Sequence, residues 1–188
     1  MKRLVFSLVM LTFLSACAGN VEGGKGEIAN SPVAQSGAPL ASSDQGLPPS
    51  ALPEVIGGRQ QLQECPYLDS QWVADTNGQR VLGAGIDERF DTPACVFWSY
   101  AEEPQLTVLV RRMSTEAEAE EVVNWAAPIA STEPAEEPAG WTGGRMGSPG
   151  RSLYAVYRGN TAVVTISNQD QSFKAELVAK EVIKNLGL

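Results

Sequence analysis

Between Ala18 and Gly58 the chain carries no aromatic residue and is built largely from Gly, Pro, Ala and Ser, whereas all four Trp and all four Tyr follow it. Such a stretch cannot bury enough apolar surface to offset the entropy of ordering it. A folded domain is therefore expected in residues 59–188, with 17–58 reading as a disordered tether. Leu52 to Ile56 is the part of it best suited to dock on the domain. As a flexible coil of about forty residues the tether spans roughly 35 Å, and fully extended about 140 Å.

Ahead of it, residues 1–16 have the form of a secretory signal: Lys2 and Arg3 supply a positive end, and Leu4 to Leu14 an apolar run. That run is too short to cross a bilayer core of ~30 Å as a helix. It ends in Leu14-Ser15-Ala16-Cys17, which resembles the lipobox of bacterial lipoproteins. The resemblance implies that the Cys17 thiol is alkylated with diacylglycerol, that the preceding peptide is cleaved, and that the new amino terminus is acylated. Each buried CH₂ contributes ~0.8 kcal/mol, and two chains make a stable anchor where one holds marginally. The expected location is the extracytoplasmic face of the cell membrane, with the membrane itself as a partner through the diacylglyceryl-cysteine.

Charge and composition exclude several function classes. The chain has 14 Lys plus Arg against 22 Asp plus Glu, a formal charge of -8, and no His. Removing Lys2 and Arg3 takes -8 to about -10, an acidic body unsuited to nucleic acid and repelled by anionic lipid. Without imidazole there is no Ser-His-Asp or Cys-His pair and no His metal ligand. Of three Cys, setting aside Cys17 leaves Cys65 and Cys95 as a pair expected to form a structural disulfide in an oxidising compartment. The alternative, a redox pair, lacks the C-x-x-C spacing.

Periodicity predicts a helix from Pro66 to Asn77, a short strand over Val81 to Ile86, and a hairpin of Ala94 to Tyr100 with Gln105 to Met113. Thr115 and Glu118 form a capping-box pattern opening a helix that ends at Pro128. Ser131 to Gly140 reads as an acidic loop and Trp141 to Gly147 as a short strand. Leu153 to Arg158, Gly159-Asn160 and Thr161 to Ser167 read as a tight hairpin. Ser172 is expected to cap a final helix with Ala175, Val178, Ala179, Val182 and Leu186 on one stripe. The fold class expected is α+β: an antiparallel sheet with helices packed on one side of it and one disulfide.

Cys65-Pro66-Tyr67-Leu68 followed by Asp91-Thr92-Pro93-Ala94-Cys95-Val96-Phe97-Trp98 resembles a family of actinobacterial, corynebacterial-type lipoproteins with a domain of unknown function, over about Gln60 to Leu188. The order of lipobox, tether, a Cys near the domain start and a second Cys on the first firm strand is similar to other actinobacterial lipoproteins, some with sheet-and-helix sandwiches of the photosystem-P and nuclear-import-factor type. The resemblance implies a Gram-positive envelope location and a structural role for Cys65 and Cys95. It implies no catalytic residue.

The remaining constellations are sparse. Gly143-Gly144-Arg145-Met146-Gly147-Ser148-Pro149-Gly150-Arg151 reads as a flexible loop whose amides and two cations would cradle a phosphate or carboxylate, with Trp141 at its rim. Trp141, Arg145 and Arg151 are thus the candidate ligand contacts, and a pocket between them is the expectation. Trp72, Trp98, Trp141, Tyr154 and Tyr157 would line a glycan or acyl groove, although such aromatics ordinarily build a core. Glu116, Glu118, Glu120 and Glu121 suit a helix N-terminus better than a metal site. Asp75-Thr76-Asn77-Gly78 lacks the acids of a calcium loop, since Val73 and Ala84 stand where they would be needed. Asp87, Glu88 and Asp91 would at most hold a cation weakly. No metal and no cofactor is expected.

The reading that follows is a membrane-anchored, non-enzymatic domain that binds an envelope protein, glycan or lipid. A second is an envelope hydrolase or transferase using paired carboxylates such as Glu88 and Asp91, which would then share a cleft. A third is a scaffold subunit marked by an exposed apolar patch.

Overall fold

The computed structural model describes residues 44–188; the expected signal over 1–16, Cys17 and the expected tether up to residue 43 lie outside the described residues. Helix α1, Ser70–Asn77, begins where the Asp69 carboxylate accepts the Trp72 amide at 2.7 Å and ends at Gly78, left-handed at φ 68°. It starts later than Pro66 because Asp69 is the side chain that caps its free amides; Cys65 and Leu68 instead pair across a turn. Helix α2, Glu116–Ala126, has the expected reciprocal capping box between Thr115 and Glu118. Helix α3, Ser172–Leu186, has Ser172 as its first residue rather than its cap, and Gln171 in the cap position makes no side-chain bond. Its stability comes from packing, with Ala175, Val178, Ala179, Val182 and Ile183 all buried.

Seven strands form one sheet: β1 Gly83–Asp87, β2 Thr92–Trp98, β3 Pro104–Arg112, β4 Glu133–Ala135, β5 Thr142–Ser148, β6 Arg151–Arg158 and β7 Thr161–Ser167. Their order is β1-β2-β3-β7-β6-β5-β4, and every neighbouring pair is antiparallel. The hairpin across Gly159-Asn160 forms in the predicted register, Arg158 facing Thr161. Glu133–Ala135, within the stretch read as an acidic loop, is a short edge strand. The short strand expected over Trp141 to Gly147 forms as β5 and takes up most of the stretch also read as an anion-binding loop, being joined to β6 through Pro149-Gly150, with Gly150 at φ 71°. The glycines belong there because the sheet is crowded: a Cβ on Gly143 would lie 2.0 Å from the Ala155 carbonyl oxygen, and one on Gly144 2.9 Å from the Ala127 Cβ.

The α+β class is as expected, but the helices do not share one side. α1 and α3 cover a face made by Phe97, Leu106, Val108, Val110, Tyr154, Val156 and Val163. α2 covers the opposite face, against Leu109, Leu153, Ala155, Ala162 and Val164. β6 and β7 are buried with almost no alternation, the pattern of strands enclosed on both faces rather than half in water. The disulfide between Cys65 and Cys95, Cα atoms 5.8 Å apart, ties the segment before α1 to the second strand.

The face under α2 is completed by chain assigned from composition to the tether. Residues 44–56 run over the β1 to β3 side, with Leu47 and Ala51 packed beside Phe90 and Leu109. The domain therefore reaches back beyond residue 59. What composition could not register is a polar anchor: Arg111 of β3 is buried in this apolar face and needs partners that the sheet does not supply.

Candidate functional site

Trp141, Arg145 and Arg151 are not brought together. Trp141 is 3 % exposed, a core residue rather than a rim one, with the Arg158 guanidinium 5.1 Å over its ring. Its indole Nε1 is buried without a hydrogen-bond partner among the described residues. Arg145 lies on the α3 face of β5, 3.5 Å from Glu133 and 3.7 Å from Glu176. Arg151 opens β6 opposite Ser148, at the far end of the hairpin from Trp141, and strand parity turns it to the α2 face with Leu153. A strand pairs the backbone amides that a loop would have offered an anion.

Glu88 and Asp91 are both exposed on the turn between β1 and β2, not enclosed in a cleft. Asp91 accepts the Asp44 amide at 3.3 Å. The buried acid of this turn is Asp87, which takes Arg89 Nη2 at 2.6 Å and the Glu54 amide at 2.7 Å. Burial by itself would raise its carboxyl, but the hydrogen bonds from Arg89 and Glu54 outweigh that and hold it below its ordinary range. Arg89 also meets Glu54 at 3.2 Å and the Leu52 carbonyl at 3.2 Å, so the turn is a clasp on the arm. A surface cleft of about 440 Å³ runs beside it, between Val55, Gln63 and Ile86.

Arg111 is the second clasp. Its Nε donates to the Asp44 carboxylate, its Nη1 to the Pro48 and Pro49 carbonyls at 3.1 and 3.3 Å, and its Nη2 to the Leu47 carbonyl at 3.1 Å. Its guanidinium also stacks 5.3 Å above the Phe90 ring. Sequence reading passed over Arg111; the available signal was a charged residue inside the apolar run Leu106 to Val110-Arg111.

An apolar recess lies elsewhere, between α2 and β5. It holds about 310 Å³ and is lined by Val123, Ala127, Ile129, Pro134, Gly143 and Tyr157, with Glu120 and Glu133 at its edge. Of the aromatics proposed for a groove, Tyr157 alone reaches this recess, while Trp98 and Tyr154 are core. Tyr154 donates its hydroxyl to the Glu137 carbonyl at 2.5 Å. Among the described residues no three Cys, Asp or Glu side chains gather as a metal site, and no helix is long and apolar enough to cross a membrane.

No curated protein matches the chain. A family model does, from residue 47, where the Leu47 carbonyl meets Arg111, to the end of α3. The chain belongs to the family described as domain of unknown function DUF2020, matched over residues 47–188.

Proposed function

We propose that the protein is a lipoprotein of the actinobacterial envelope, anchored through Cys17 on the extracytoplasmic face of the membrane, whose domain is a non-enzymatic binding module. The observation that carries this reading is the cysteine count. The disulfide consumes Cys65 and Cys95, and the one cysteine left over is the one that closes the lipobox-like Leu14-Ser15-Ala16-Cys17. A disulfide of this kind also suits an exported domain. The binding role is supported by the recess beside α2, a concave surface in which apolar Val123, Ala127, Ile129, Pro134 and Tyr157 stand among polar Asn124, Thr132 and Thr142 and the acids Glu120 and Glu133.

Part of the stretch read as tether is held on the domain, through Asp44 on Arg111 and through Leu47 and Ala51 on the α2 face. The net negative charge of the domain would keep it off an anionic surface. The test is membrane fractionation with metabolic labelling by a radioactive fatty acid. The wild-type chain incorporates label and sediments with membranes, and Cys17→Ala does neither; a Cys17→Ala protein still processed and still membrane-bound overturns the anchor.

A further inference from the structure

We propose that the recess between α2 and β5 is a docking site for a basic segment of a partner protein that inserts one apolar side chain and rests its flanking cations on α2. This rests on the binding reading above and gives the partner a chemistry. At about 310 Å³ the recess is at the bottom of the size range of ligand pockets, room for an anchor side chain rather than a cofactor. Val123, Ala127, Pro134 and Tyr157 make its apolar walls, with the uncharged polar groups of Asn124, Thr132 and Thr142 between them, and Ile129, which also lines it, is 82 % exposed. An aliphatic side chain left that far in water gains by being covered.

The sign of the partner's charge follows from α2. The helix carries Glu116, Glu118, Glu120 and Glu121 and no basic residue, and among the described residues none of the four is in an ion pair. The helix dipole and the capping box account for Glu116 and Glu118 in the first turn. They do not account for Glu120 and Glu121, which lie beyond it. Glu133, across the recess, has Arg145 at 3.5 Å, whereas Glu120 faces the opening with no cation. The field reaches Tyr157, whose hydroxyl is pushed up first by burial and then by Glu120 and Glu116. A carboxylate, phosphate or anionic lipid headgroup would be repelled here, and Lys or Arg attracted.

The experiment is fluorescence anisotropy on the detergent-solubilised full chain, with fluorescein-labelled acetyl-Lys-Lys-Leu-Lys-Lys-amide as the probe. The same peptide with Gly for Leu, the same peptide with Glu for Lys, and hexylammonium serve as comparisons. The Leu peptide is expected to bind about tenfold more tightly than the Gly peptide, the Glu peptide not at all, and hexylammonium more weakly than either Lys peptide. Glu120→Gln and Ile129→Asp, both surface changes, should each weaken the Leu peptide at least about fivefold. Equal affinity for the Leu and Gly peptides, insensitivity to both variants, or hexylammonium binding as tightly as the peptide overturns the proposal; the last would make the recess a small-amine site. Membrane release by Cys17→Ala is read separately, so failure here leaves the anchor standing or falling on its own result.

Discussion

Arg111 on β3 and Asp44 at the start of the arm, 67 residues apart in the chain, form an ion pair whose side chains are 1 % and 0 % exposed. A guanidinium in an apolar face is tolerated only when its charge is balanced and its N–H groups are bonded. The arm supplies the carboxylate and three successive carbonyl oxygens from one short stretch that opens with a single 3-10 turn, Asp44–Gly46. The pair thereby holds the arm against β3.

Removing one partner should be costly and removing both should not. Asp44→Asn leaves Arg111 buried without a counter-charge, and urea unfolding should show a loss of about 3–5 kcal/mol. The double change Asp44→Leu with Arg111→Met should recover most of it, since an apolar pair suits the surroundings. A loss below about 1 kcal/mol in the single variant would mean that the arm is not held by this contact.

The disulfide should stabilise chiefly by restricting the unfolded chain. For a sequence separation of 30 residues, the loop-entropy relation gives about 3.5 kcal/mol. Comparing Cys65→Ser with Cys95→Ser and the reduced wild type by denaturant unfolding checks this: all three should lose a similar amount. Catalytic turnover of the pair against a thiol reductant would instead mark a redox centre.

Acid should loosen the arm clasp. The Asp87 carboxyl is held below its ordinary 3.8 in the folded protein, so its contribution is complete above that value and is lost as pH falls below it. Unfolding free energy should therefore decline on acidification below about pH 4 more steeply in the wild type than in Asp87→Asn, with the curves parallel near neutrality. Parallel curves throughout would show that the Arg89 and Glu54 bonds do not favour the ionised form.

Gly143 should resist any side chain. A Cβ there meets the Ala155 carbonyl oxygen at 2.0 Å and the Val156 Cα at 2.9 Å, both backbone atoms that cannot rotate away. Gly143→Ala is expected to cost about 1–3 kcal/mol, read by thermal or urea unfolding. An unchanged midpoint would indicate that β5 and β6 separate readily.

Much of the fold was written locally. The Thr115/Glu118 box, the Gly159-Asn160 turn and the apolar stripe of α3 each rest on residues within a few positions of one another, and each formed where predicted. The candidate site was not legible in the same way. The Gly143 to Arg151 stretch looked like an anion loop because glycine is scored for freedom, whereas here it relieves crowding between β5, β6 and α2. Trp141 looked like a rim residue between a glycine and a threonine, yet Arg158 from the neighbouring strand roofs it.

By itself the sequence determined the three helices and every strand except β4, the α+β class, the cysteine pairing and the acidic balance, because these follow from short-range periodicity, residue counts and net charge. The tertiary structure alone decided that helices cover both faces, that residues 44–56 pack on the domain, and that an apolar recess lies beside α2 rather than at Arg145 and Arg151. Those depend on contacts between residues tens of positions apart. No local pattern announces such pairs, since a buried charge such as Arg111 is stable only once a distant Asp44 has been folded onto it.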